Sequence, residues 1–317
     1  MTLGVLEGAR FVCERASQVS LDLDRLHTLA QELLPVPCST WDSRHHFADG
    51  TSRTVSYLLL VDALNFCFFP EPRWQVVVDG ETLQGYFALT TILKRAFEEK
   101  APVADFHRLS QITEEEARDL LQGTPRVGVV PLLEERTLIL REIGQVISSS
   151  YGGNPARLVL DSRGSAERLV RELVHVFPSF RDKASYDGEE IPFYKRAQIF
   201  AGDLYSSFRG ESFGRFDDIA SLTAFADYKI PQILRACGVL HYTPSLADRV
   251  DRRDSIAAGS PEEVEIRAAT VWSVELLRRS LVELGRPLLA IEIDWLLWQA
   301  SQSRAMPPHH CTLTTSY

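Results

Sequence analysis

The sequence predicts one mostly α-helical domain carrying a small β-hairpin. Three observations lead there. Apolar residues recur at helical spacing along most of the chain, helix-start signals precede several of those runs, and one short stretch reads as a strand pair. A chain of 317 residues can bury a large core, so neither disulfides nor a structural metal is needed to hold it together.

Taken in order, residues 20–34 open on Ser20 as a helix N-cap, repeat leucine at 23, 26, 29, 33 and 34, and stop at Pro35. The most apolar stretch, YLLLVDALNFCFF at 57–69, is interrupted by Asp62 and Asn65. It is too short to cross a bilayer and reads as a core helix. WQVVV at 74–78 followed by Asp79-Gly80 predicts the hairpin. Thr113 and Glu116 form a capping box ahead of a helix stopped by Gly123, and residues 132–148 form another before the breakers SSSYGGNP. Ser165 caps a run that places Leu169, Leu173 and Val176 on one side. Ser260, Pro261 and Glu263 give the clearest start signal, opening PEEVEIRAATVWSVELLRRSL. RRDSIAAGS at 252–260 is the best loop, with segments of one core on either side, and the tail 306–317 is expected to be loose, its His309-His310 pair exposed. The sum is about ten helices in a single domain spanning 1–317.

With 34 basic and 43 acidic side chains the formal charge is −9. A stable nucleic-acid complex is not expected, since clamping a duplex or a tRNA takes many Lys and Arg contacts to phosphates; a single nucleotide needs only one or two local cations. Five scattered cysteines with no Cys-x-x-Cys spacing read as reduced thiols of a cytoplasmic protein. Glu7, Arg10, Glu14 and Arg15 interrupt the N-terminal apolar residues, which therefore form no signal peptide, and no membrane partner is expected. No Walker loop, GxGxxG, HExxH or GxSxG occurs, so no motif points to a metal, a cofactor or a serine nucleophile.

Four segments concentrate chemistry. TWDSRHHF at 40–47 crowds Trp, Asp, Arg and the adjacent His45 and His46 into a loop between helices. In PFYKRAQIFAGDLY at 192–205, Lys195, Gln198 and Gly202 share a helix face beside Asp203; a solvated face is the default, a lysine aimed at an anion the functional reading. In LTAFADYKIPQIL at 222–234, Pro231 suits a first helical turn, and Asp227 lies just before it between Phe225 and Tyr228. Asp227 is then either a helix cap or a carboxylate held against a cationic, planar ligand. In AIEIDWLLWQ at 290–299, Asp294 lies among core residues, so it either pairs with an arginine or meets a cationic ligand, while Trp295 and Trp298 serve as core or as stacking surfaces.

Five stretches in order, LNFCFFP at 64–70, YKRAQIFAGDLY at 194–205, LTAFADYKIPQIL at 222–234, EVEIRAATVWSVELL at 263–277 and IDWLLW at 293–298, resemble the queuosine 5′-phosphate N-glycosylases of queuosine salvage. The resemblance runs from Phe47 to Gln299 and implies hydrolysis of queuosine 5′-monophosphate to queuine and ribose 5-phosphate, without metal or cofactor. It implies a helical fold related in form to helix-hairpin-helix DNA glycosylases. Asp227 corresponds to the catalytic carboxylate, Phe225 to the ring packed on the base, His46 (beside His45) to a base contact, and Lys195 to the lysine of the KRAQ motif. Asp294 and Trp295 correspond to the acid and aromatic of the last motif, and Gln299 stands where family members can carry a further acid.

On that reading Asp227 stabilises the cationic sugar of the transition state, and Lys195, with Arg196 behind it, holds the 5′-phosphate. His46 assists the departing base, whose guanine-like edge and cationic amine suit carboxylates such as Asp294. The competing readings are a glycosylase acting on another nucleotide or a DNA base, and a non-catalytic helical protein that binds a modified nucleotide.

Overall fold

Side-chain caps and left-handed backbone decide where the elements of this protein begin and end. The structure, a computed structural model, describes residues 2–38, 41–99, 102–122, 128–302 and 305–317. After α1 (Val5–Cys13) comes β1 (Val19–Leu21), so Ser20 lies in a strand and does not cap the next helix. The cap of α2 (Leu23–Leu33) is Asp22, which accepts from the Arg25 N–H at 2.8 Å. The strand prevails because Val19, Ser20 and Leu21 pair antiparallel with the later segment 240–242.

The helix α3 (Ser52–Ala63) is capped by Thr51 and ends earlier than the apolar run suggests. Its last carbonyls and those just beyond are captured by buried cations. Arg196 donates to Ala63, Arg136 to Leu64 and Phe66 at 2.6 Å each, and Lys195 to Asn65 at 2.8 Å. Cations at a helix C-terminus satisfy orphan carbonyls and oppose the macrodipole. Residues 64–69 thereby leave the helix, and Cys67 turns left-handed at φ 48°.

The expected hairpin forms from β2 (Gln75–Val78) and β3 (Glu81–Gln84) around Asp79-Gly80, both with positive φ. Next come α4 (Gly85–Glu98), α5 (Phe106–Leu109), and α6 (Glu114–Gln122), where Thr113 and Glu116 close the capping box. Gly123 lies outside the described residues, as does Thr40. There follow α7 (Leu133–Tyr151), longer than expected, α8 (Ala156–Asp161), and α9 (Ala166–Val176), capped by Ser165. A second hairpin, β4 (Lys183–Tyr186) and β5 (Glu189–Pro192), turns at Asp187-Gly188. The rest is α10 (Lys195–Ser207), α11 (Lys229–Ala236), β6 (Leu240–Tyr242), α12 (Pro244–Asp251), α13 (Pro261–Glu283) and α14 (Ala290–Gln302). The described residues thus form fourteen α-helices, several only one or two turns long. No helix among them is long and apolar enough to cross a membrane. Helix α13, capped by Ser260, is buried on every side over most of its length and packs on α1, α2, α11 and α14, joining both apolar clusters.

The tail is not loose. His309, His310, Thr312 and Tyr317 are buried, Cys67 N–H donates to the Tyr317 carbonyl at 2.9 Å, and Ile256 N–H donates to Cys311 at 2.8 Å. Its polar composition misleads because the tail supplies ring surface rather than aliphatic core: Tyr317 stacks on the Arg267 guanidinium, 4.5 Å from the ring centre. Burial holds His309 down at about 4 and His310 at about 3, so both are neutral when folded. The unfolded chain takes up those protons below the ordinary value of 6.5, so stability is lost as pH falls through that window toward 4. His310→Gln is expected to flatten this acid limb in unfolding curves followed by circular dichroism; an unchanged slope would count against a neutral buried His310.

Candidate active site

Residues from α4, α10, α11, α14, the loops around 41–50 and 65–73, and the tail enclose a cavity of about 1450 Å³. Its floor is organised by one ion pair. Arg267 on α13 grips Asp182 with two hydrogen bonds, 2.9 and 2.7 Å long, between the rings of Phe193 and Tyr317. Asp182 also accepts the Lys195 N–H at 3.0 Å, fixing the start of α10, while Arg267 Nε donates to the Ala226 carbonyl at 3.2 Å. Lys195 and Asp227 are therefore positioned from the same guanidinium.

Asp227 precedes α11 and its Oδ1 accepts from the N–H groups of Lys229 at 2.7 Å and Ile230 at 3.0 Å. The cap reading and the cavity-facing reading both hold, because Asp227 lines the cavity and the cap occupies one oxygen. Burial raises its proton affinity, which Lys195 and the two backbone donors oppose. Lys195 is buried, its ammonium pushed down to about 8 by desolvation, with Asp227 opposing.

The face of α10 is buried rather than solvated. Gln198 exchanges hydrogen bonds with Thr223 and donates to the Phe193 carbonyl at 2.8 Å. At Gly202 an added Cβ would stand 3.1 Å from Phe225 Cζ and 3.8 Å from Trp295 Cζ2, so the missing side chain gives both rings their place. Asp294 finds no arginine among the described residues. Instead its Oδ1 accepts the Phe225 N–H at 2.8 Å, and burial, reinforced by Asp227, holds its carboxyl well above the ordinary range.

The two histidines separate. His45 turns to Asp42, 2.6 Å away, whereas His46 lines the cavity with its ring centre 4.5 Å from that of Trp41. Tyr57 and Tyr86 hydroxyls lie 3.5 and 3.3 Å from its nitrogens, and burial lowers it to about 4, so it is neutral. Lys94 ties this loop to α4 through the carbonyls of Ser43 and Arg44.

Tyr228, Trp295, Trp298 and Gln299 all line the cavity, Trp298 edge-on to Tyr86 and Tyr228 tilted over His309 with ring centres 4.5 Å apart. Arg196 does not line it. Its two terminal nitrogens donate to the carbonyls of Ala63 and Ser179, against the rings of Phe66 and Phe180 and away from the cavity lining. The sequence reading assigned no role to Asp62 and Asp203, a buried acid pair beside Lys195, or to His309 and Tyr317 on the cavity wall. Two charges within otherwise apolar helices were the available signal for the acids; for the tail there was only its ring content. Among the described residues no three His, Cys, Asp or Glu side chains gather to hold a metal ion.

Aromatic walls, carboxyls held by backbone donors and one buried ammonium give the cavity the shape and chemistry suited to a flat, donor-rich heterocycle. The chain belongs to the queuosine salvage protein family, whose sequence model matches residues 45–317, the ordered tail included. It is 45% identical to the queuosine 5′-phosphate N-glycosylase/hydrolase of Sphaerobacter thermophilus over 99% of this chain and 98% of that protein. Proteins of the same name from Mus musculus and Dictyostelium discoideum are 36% and 37% identical over 92% and 84% of this chain, and 91% and 79% of their own lengths.

Proposed function

We propose that this chain hydrolyses the N-glycosidic bond of queuosine 5′-phosphate, releasing queuine and ribose 5-phosphate for salvage of the base. The observation that supports it most is Asp227, held rigidly by two backbone donors through one oxygen, beside a lysine and next to Phe225. As the C1′–N bond breaks, its electrons leave with the base and the ribose becomes cationic. A fixed carboxylate under C1′ stabilises that charge in a site where no water need reorganise, and water completes the hydrolysis.

The base, a 7-deazaguanine, lacks the ring nitrogen that purine-releasing enzymes protonate. His46, neutral and set between tyrosine hydroxyls, is a hydrogen-bonding contact rather than a source of positive charge. Asp294 lines the same cavity as the two rings proposed to sandwich the base, Phe225 and Trp295, is held by the Phe225 N–H, and takes the hydrogen-bonding edge of the heterocycle.

Lys195 suits a different task from the phosphate contact first assigned to it. Its ammonium already serves the Asn65 carbonyl and lies among carboxyls that would repel a phosphate, so it keeps Asp227 ionised. Of the other cavity-lining cations, Arg73, Arg209 and Lys229, the mutually close Arg73 and Lys229 are then the phosphate's partners. Lys195→Ala is expected to slow the nucleotide and the free nucleoside alike, while Lys229→Ala raises KM about tenfold or more for the nucleotide alone. A phosphate-selective loss on removing Lys195 would reverse the two assignments.

The chain acts on this small molecule without a stable nucleic-acid complex, in keeping with its charge of −9, and works in the cytoplasm, in keeping with five free cysteines. Incubation with queuosine 5′-phosphate, with free queuine sought by mass spectrometry, tests the proposal, and absence of queuine refutes it.

A further inference from the structure

Three buried carboxylate oxygens, both of Asp62 and Oδ2 of Asp203, meet no hydrogen-bond donor among the described residues. The two side chains project from the packed helices α3 and α10 and are 0% and 4% exposed, yet Asp203 lines the cavity. Unsatisfied acids at such depth are costly unless they share a proton or await a donor. Both conditions are met here. Burial and the neighbouring Asp203 raise Asp62 well above the carboxylate range, while burial raises Asp203 to about 7 with Asp62 opposing, directions that fit one proton carried by Asp62.

Charge counting around the pair points the same way. Of the charged groups on the elements packed about it, Asp62 from α3 and Lys195 from α10 itself act on Asp203, Arg196 from α10 acts on Asp62, and Tyr57 and Tyr86 feel the pair as neutral phenols. Lys195 is also shared with Asp227 and Asp294. Beside Asp203 this one ammonium is shared among four carboxyls, the other cavity-lining cations Arg73, Arg209 and Lys229 lying outside α3 and α10, and there Asp203 has an open oxygen.

We propose that Asp203, backed by Asp62, is a second base-binding acid that receives the secondary ammonium of an aminomethyl-substituted 7-deazaguanine. The inference rests on the reading that the base is queuine, and it divides the ligand's donors between two acids: the heterocycle edge to Asp294, the side-chain cation to Asp203. With its single shared proton the pair carries one negative charge, matched to one ammonium. Below about 7 it takes up a second proton and the match is lost.

The test compares binding of queuine with that of 7-deazaguanine, which lacks the amine, by calorimetry on either side of that pH. The wild-type protein is expected to prefer queuine by about thirtyfold or more on the alkaline side, as for a desolvated charge pair, and to lose most of that preference on the acid side. Asp203→Asn should abolish the preference with 7-deazaguanine affinity nearly unchanged. Asp62→Asn, whose amide can still donate to Asp203, should retain it. Equal losses of both ligands in Asp203→Asn, a preference that survives it, or a preference independent of pH would overturn the inference. Failure of the wild-type protein to bind queuine at all would instead overturn the functional reading beneath it.

Discussion

Replacing Asp227 by asparagine is expected to lower the rate of queuine release about a thousandfold or more while leaving the protein folded. The two halves of that outcome come from the two oxygens. Asparagine retains an Oδ1 able to accept from Lys229 and Ile230 N–H, and it is as good a helix cap as aspartate, so α11 keeps its start. What disappears is the negative charge proposed to meet the cationic sugar. Asp227→Ala loses the cap as well, at about 1 kcal/mol of stability. Release measured by mass spectrometry, alongside thermal melts of the three proteins, separates the roles. Near-normal turnover in Asp227→Asn would reduce Asp227 to a cap.

Arg267→Ala is expected to destabilise the fold by about 3–5 kcal/mol, the range for stripping a buried charge of its partner. Asp182 would be left buried without its cation, and Phe193 and Tyr317 would lose the guanidinium between their rings. Since Asp182 fixes Lys195 and Arg267 holds the Ala226 carbonyl, activity at a temperature where the variant remains folded should fall too. Arg267→Lys does not rescue, because an ammonium cannot grip two oxygens and stack on two rings at once. Adding Asp182→Asn to Arg267→Ala should recover part of the lost stability by removing the stranded charge. Urea unfolding gives both numbers; a loss below about 1 kcal/mol for Arg267→Ala would mean that the pair does not organise the floor.

Periodicity and capping were enough to find the larger helices, because Thr113, Ser165 and Ser260 act as caps through local hydrogen bonds that the sequence displays directly. The failures were non-local. Ser20 joined a strand whose partner lies more than two hundred residues away, and the run after Ala63 left its helix because arginines and a lysine from α7 and α10 took its carbonyls. The second hairpin shows in the sequence only as its Asp187-Gly188 turn, between strands too short and polar to alternate clearly. At the site, motifs placed Asp227, Phe225, Asp294, Trp295, Lys195 and His46 around one cavity, while Arg196 belongs to the structural frame. The acid pair stayed hidden because a buried carboxyl in an apolar helix looks like an interruption until its neighbour is known.

Gly202 offers a handle of a different kind. A methyl group there would press on Phe225 at 3.1 Å, closer than ordinary contact, and shift a ring that lines the cavity. Alanine at this position is thus a caliper setting: a slot narrowed by a few tenths of an ångström would penalise bulky heterocycles more than slender ones, making substrate breadth adjustable without touching a single charged group.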